Sequence, residues 1–221
     1  MSHLVCIGAS YRRRAIRSPW SGVIGPGSWV RHCARLAVRD RASDPDAVNS
    51  TNFGGSVHDI VIIGGGPGGY AAALYAHNFG LDVVLVEKER VGGTCLIRGC
   101  IPAKTWLQTA EVYATVARSE EFGIKSSEPV LDWPEALARK NKVVDGLVKG
   151  LTGLLKGRKV DMKDGFGRVV EGGVEVTSGD GSAEVLATRT VIVATGSVPR
   201  SIPGYTPDGA RIVTSDEALD W

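Results

Sequence analysis

The stretch His58-Asp59-Ile60-Val61-Ile62-Ile63-Gly64-Gly65-Gly66-Pro67-Gly68-Gly69 decides how this chain folds. Its first half is a short apolar run, continuous enough for a strand buried on both faces of a parallel sheet. Its second half satisfies G-x-G-x-x-G through Gly64, Gly66 and Gly69. The pattern alone is weak in a chain with 29 glycines; its context is not. Tyr70 to Phe79 is an Ala-rich helical stretch that Gly80 can terminate. Leu81 to Glu87 is a second apolar strand, so the segment opens as a βαβ unit. In such a unit Gly64 permits the tight turn and Gly66 lets the backbone approach a pyrophosphate. Gly69 lets helix and strand pack closely, and the amides of the helix N-terminus face the phosphate. Glu87 ends the second strand, where a carboxylate accepts hydrogen bonds from a ribose diol. The bland alternative is a glycine-rich turn that binds nothing. The motif does not distinguish one dinucleotide from another.

The next informative stretch is Gly92-Gly93-Thr94-Cys95-Leu96-Ile97-Arg98-Gly99-Cys100-Ile101-Pro102-Ala103-Lys104. A C-x4-C spacing with no second Cys or His pair nearby does not complete a four-ligand zinc site, so no metal is expected. If Cys100 opens a helix, amide dipoles there favour its thiolate. Lys104 then lies one turn on, on the same side. On spacing alone, two readings fit: a redox pair, or two reduced buried cysteines beside a solvated lysine. The remaining cysteines, Cys6 and Cys33, stand alone in the N-terminal stretch and are read as bystanders.

Beyond the cysteines, Cys100 to about Ala117 and Trp133 to about Lys156 read as helices. In the second, Leu137, Val144, Leu147, Val148, Leu151, Leu154 and Leu155 recur at helical intervals. Short β-like runs follow at Val160–Lys163, Arg168–Val170, Val174–Thr177 and Glu184–Ala187. A buried strand, Thr190–Ala194, leads into Thr195-Gly196.

Residues 1–56 differ from the rest. They contain no Lys and no Glu, and hold eight arginines against three aspartates, a net +5 in a chain whose total is +2. Without sustained apolar periodicity they are expected to be disordered, leaving 57–221 as the folded domain. The Arg-rich, acid-poor composition fits an organellar transit peptide; a mis-called start is the blander account. The near-neutral total argues for no polyanionic partner such as nucleic acid, though the charge is unevenly placed. No apolar run reaches the roughly 20 residues of a membrane span.

The motifs together resemble the pyridine nucleotide–disulfide oxidoreductases. Gly92–Lys104 keeps the form G-G-T-C-x4-G-C-x-P-x-K, and Leu96 and Ile101-Pro102-Ala103-Lys104 are similar to the choices made in dihydrolipoyl dehydrogenases. The resemblance runs over about residues 58–221, taking in Gly165-Phe166-Gly167 and Ala194-Thr195-Gly196-Ser197-Val198-Pro199. It implies an α/β fold: a Rossmann-like FAD-binding domain with a parallel sheet and an added antiparallel β-meander. By that resemblance Gly64, Gly66, Gly69 and Glu87 hold FAD, and Gly93, Thr94 and Lys104 lie on its flavin side. Gly167, Thr195, Gly196 and Ser197 contact its adenosine and diphosphate. Cys95 is the interchange thiol, and Cys100 lies against the flavin and passes electrons to it.

The same resemblance implies NAD as co-substrate, the lipoyl domain of a 2-oxo acid dehydrogenase complex as partner, and a homodimer. Family members continue into an NAD-binding domain and an interface domain carrying a His–Glu pair. None of His3, His32, His58 and His77 fits that role. The expectation is therefore a fragment, truncated before those domains and unable to turn over alone. The expected compartment is the cytoplasm, or the mitochondrial matrix if residues 1–56 are a transit peptide. Alternatives within the enzyme class are reductases of a low-molecular-weight disulfide or of mercuric ion. Outside it stands a non-catalytic FAD-binding module.

Overall fold

The computed structural model describes residues 56–220 and the backbone of His3–Cys6. Its strands are β1 (His3–Cys6), β2 (His58–Ile63), β3 (Val83–Glu87), β4 (Asp161–Asp164), β5 (Phe166–Val170), β6 (Gly173–Thr177) and β7 (Ala183–Val193). Its helices are α1 (Pro67–His77), α2 (Cys100–Ala117), α3 (Trp133–Gly157) and the single turn α4 (Ser215–Ala218). The strand order is β4-β3-β2-β7-β6-β5, with β1 also paired to β7. Strands β4, β3, β2 and β7 run parallel, whereas β7, β6 and β5 form an antiparallel meander.

One strand joins the two halves. Glu184–Ala187 and Thr190–Ala194, which the sequence suggests as separate runs, are one strand, β7. Residues Ala183–Ala187 pair antiparallel with β6, and Thr188–Val193 pair parallel with β2. Thr188 sits at the change of partner, fully buried, its hydroxyl donating to the His58 and Thr190 carbonyls at 3.2 and 3.0 Å. A polar residue in an apolar-looking strand hides that continuity until its hydroxyl is seen to be satisfied.

Period-2 alternation divides the core between the two faces of the parallel sheet. Ile62, Val83 and Leu85 point to the helical side, packing with Ala73 and Ala76 of α1, Leu155 of α3, and Val160. Val61, Ile63, Val84 and Val86 point to the other side, under Val174, Val176 and Leu186 of the meander. Burial on both faces is the reason β2 and β3 read as unbroken apolar runs.

Helix boundaries follow local chemistry. α1 starts at Pro67, three residues before the apolar pattern begins, because proline at the first helical position loses no hydrogen bond. It ends at His77, and Gly80, with φ +70°, closes the turn by donating to the His77 carbonyl. α3 is capped by the Asp132 carboxylate, which accepts from the Glu135 amide at 3.0 Å.

The expectation of a disordered stretch before Val57 falls mostly outside the described residues. Where it does not, His3–Cys6 lies in parallel register with Thr190–Val193.

Candidate functional site

The carboxyl ends of β2, β3 and β7 lie side by side, the edge of an open α/β sheet where ligands bind. β2 hands directly into the glycine turn. The Gly64 amide donates to the Val86 carbonyl at 2.8 Å, and Ala194 beyond β7 donates to Ile63 at 2.8 Å. Gly64 has φ +105°, and a methyl carbon there would lie 2.3 Å from the Ala194 carbonyl oxygen. At Gly69 the same addition would fall 1.7 Å from the Gly64 oxygen. These two glycines are therefore required by packing. Gly66 is different: its backbone is extended, at φ −73° and ψ −176°, and an added carbon would meet nothing nearer than the Gly93 Cα at 3.6 Å.

The N-terminus of α1 receives no side-chain cap and has no acidic residue in its first turn. Its amides and positive dipole end are thus offered outward, as an anion site requires. Glu87, at the end of β3, is anchored to the turn. One carboxylate oxygen accepts from the Gly65 amide at 2.7 Å and the other from the Glu89 amide at 2.9 Å. Each oxygen retains capacity for a further donor, which is what a diol supplies.

The second motif docks onto the first. The Gly92 amide donates to the Gly65 carbonyl at 2.8 Å. Gly93, at φ +57°, approaches so closely that a methyl carbon on it would lie 2.6 Å from the Gly66 Cα. From there a π-helical turn, Thr94–Arg98, carries Cys95, and α2 begins at Cys100. The two thiols are unbridged, with Cys95 partly buried and Cys100 exposed. Hydrogen bonding to the Cys100 side chain, desolvation and the proximity of Cys100 raise the Cys95 pKa, against a smaller lowering influence from the Lys104 ammonium. Cys100 is the first residue of α2, at the positive end of that helix's dipole.

The remaining site expectations divide. Thr195 lies beside Gly64, its Cα 3.1 Å from where a Gly64 methyl would be. Gly196, at φ +76°, and Ser197 continue outward, both exposed. Gly167 packs against Ile63 and Val86, where a methyl would lie 3.0 and 3.3 Å from their side chains, so a core contact already accounts for it. His58 accepts no catalytic geometry; its Nδ1 lies 2.8 Å from Asp82.

Sequence reasoning missed Gly65 and Gly92, which stitch the two motifs together through their backbones, and the ion pair between Glu89 and Arg98. Nothing in a spacing pattern marks a backbone–backbone contact between segments 27 residues apart in number, Gly65 and Gly92. It also missed an open apolar cavity of about 590 Å³ lined by Trp106, Tyr113, Leu131, Trp133 and Leu219.

Comparison with known proteins agrees with this geometry. Residues 58–220 match the family model described as pyridine nucleotide-disulphide oxidoreductase. A dihydrolipoyl dehydrogenase of Bacillus subtilis is 43% identical over 171 residues, covering 73% of this chain and 36% of the relative. A mitochondrial dihydrolipoyl dehydrogenase of Dictyostelium discoideum is 40% identical over 170 residues, covering 76% and 35%. The crystal structure of LpdA from Mycobacterium tuberculosis superposes with a TM-score of 0.67 at 28% identity, covering 75% of this chain and 37% of that one. The chain thus spans about a third of the length of the relatives it matches. Among the described residues no helix is long and apolar enough to cross a membrane. Since the matched region takes in the glycine turn, the cysteine loop and the meander alike, this chain belongs to the pyridine nucleotide-disulphide oxidoreductases.

Proposed function

We propose that residues 57–221 form the FAD-binding domain and redox-active disulfide of a dihydrolipoyl dehydrogenase. The observation that carries this is the placement of Cys95 and Cys100 five residues apart, on a loop whose Gly93 rests on Gly66 of the dinucleotide turn. The residues present suit FAD: an uncapped helix N-terminus, an open backbone at Gly66 and a carboxylate at Glu87. Gly64, Gly66 and Gly69 shape the diphosphate site, and Glu87 takes the adenosine ribose. Thr195, Gly196, Ser197 and Gly167 border the adenosine and diphosphate, while Gly93, Thr94 and Lys104 border the flavin. Bound FAD would supply electron transfer between the reduced cysteine pair and a nicotinamide, a step that no side chain here can perform.

The chain's own residues perform thiol–disulfide exchange. A lipoyl dithiol attacks the sulfur of Cys95 in the Cys95–Cys100 disulfide, and Cys100, at the α2 N-terminus, is the leaving thiolate. The second lipoyl sulfur then displaces Cys95, giving lipoyl disulfide and a reduced protein pair. Lys104, one turn along α2, steadies the anionic state. NAD is the co-substrate at a site outside residues 57–221, so this stretch alone does not turn over. The setting implied by the family resemblance is a homodimer acting on a lipoyl domain, in the cytoplasm or the mitochondrial matrix; one matched relative is named as mitochondrial.

The test is spectroscopic. Purified chain should be yellow or become so with FAD, and two-electron reduction should raise a long-wavelength absorbance of thiolate beside flavin. Cys100→Ser should abolish that band and Cys95→Ser should keep it. Protein that stays colourless after reconstitution defeats the assignment; variants that behave alike defeat the division of roles.

A further inference from the structure

The cysteine loop is fastened at both ends to the dinucleotide turn. At its start, Gly92 and Gly93 sit on Gly65 and Gly66. At its end, Arg98, the residue of the π-helical turn nearest Cys100, pairs with the Glu89 carboxylate. Glu89 is not a loose surface acid. Its own amide donates to Glu87 at 2.9 Å, and Glu87 accepts from Gly65 at 2.7 Å. A continuous series of contacts, Gly65–Glu87–Glu89–Arg98, therefore runs from the dinucleotide turn to the segment between the two thiols. Lys88 lies 3.9 Å from the other Glu89 oxygen, and it too is exposed.

We infer that Glu89 and Arg98 are positioning residues for the redox pair: their ion pair closes the loop so that the Cys95 and Cys100 thiols stay in contact. An intramolecular disulfide is stabilised by the effective concentration of one thiol at the other, and a loop free to open lowers that concentration. Both side chains are about two-fifths exposed, Arg98 at 40% and Glu89 at 43%. The ion pair is consequently a modest device, able to bias the equilibrium by no more than about fivefold.

This inference rests on Cys95 and Cys100 being a redox pair, and the experiment separates the two claims. The chain is equilibrated with mixtures of reduced and oxidised glutathione, and the state of the pair is read by alkylation and peptide mass. In each event the two cysteine thiols lose two electrons and two protons to form one disulfide. One glutathione disulfide gains them and becomes two thiols. Arg98→Gln and Glu89→Gln should each make the protein disulfide about two- to fivefold less stable. The reversed pair, Glu89→Arg with Arg98→Glu, should recover at least half of the loss. Wild-type chain that forms no disulfide overturns the redox reading itself. A wild-type disulfide with unchanged single variants overturns the positioning role alone, as does a reversed pair no better than the singles.

Discussion

Gly93 rests against Gly66, so the loop that carries the cysteines and the turn that opens α1 share one backbone contact. The Gly93 conformation, φ +57° and ψ −163°, is one that side chains resist. Gly93→Ala should therefore lower stability by about 1–3 kcal/mol from the backbone alone. It should also push the cysteine loop off the turn, because its methyl would meet the Gly66 Cα at 2.6 Å. Urea unfolding measures the first effect, and a fall in FAD retention beyond the stability loss reports the second.

Gly66 and Gly69 should separate binding from folding. Gly69→Ala places a methyl 1.7 Å from the Gly64 carbonyl oxygen, which α1 can relieve only by moving away from β2. Loss of cooperative unfolding or a severe drop in melting temperature is expected. Gly66→Ala meets no such obstacle and keeps an ordinary extended backbone, so stability should stay within about 1 kcal/mol of wild type. If the diphosphate lies against Gly66, that same variant should bind FAD at least tenfold more weakly. Wild-type FAD affinity in Gly66→Ala would count against this placement.

The Cys95 thiol should titrate above the ordinary value of 9.0, because its hydrogen bond to Cys100, desolvation and the neighbouring Cys100 charge all favour the proton. The sign follows from linkage. A pKa raised by folding marks stability that is fully present below the unfolded value and lost as pH rises through the folded one. Alkylation of Cys95 with iodoacetamide, followed by peptide mass, should thus show a midpoint above pH 9.0 in the dithiol form. Cys100→Ala should bring the midpoint down, and Lys104→Met should move it further up, since Lys104 opposes the shift. A wild-type midpoint at or below 9.0 contradicts the upward influence assigned to Cys100.

Much of this fold was legible because its strongest signals are local. The apolar runs of β2 and β3, the glycines between them and the G-G-T-C stretch each carry a geometric requirement that only a few residue types meet. Cys100 opening a helix, and Glu87 closing a strand, followed from the same local rules. What was not legible depends on distant partners. β7 is one strand because Gly172 and His58, far away in sequence, satisfy the amide and hydroxyl of Thr188. Lys140 is buried within α3 because its ammonium reaches the Leu219 carbonyl at 3.0 Å and the Asp220 carboxylate, a meeting that no helical periodicity foretells. The clasp at Glu89 and Arg98 is likewise a tertiary contact between two ordinary charged residues.

α3 shows how far periodicity reaches, and it supplies the last prediction. Leu154 and Leu155 both belong to its apolar pattern, yet Leu155 is 0% exposed and Leu154 is 47% exposed. The difference arises because α3 meets the sheet along a narrow line. Leu155 lies in the cluster with Ile62, Leu85, Ala73 and Val160, while Leu154 faces away from it. Leu155→Ala should open a cavity beneath α1 and β3 and cost about 2–5 kcal/mol. Leu154→Ala removes a half-exposed side chain and should cost about 1 kcal/mol or less. Paired urea denaturation curves decide the matter. Equal losses for the two variants would mean that α3 is rotated from the orientation described, and the contacts of Val144 and Val148 on the same buried face would have to rotate with it.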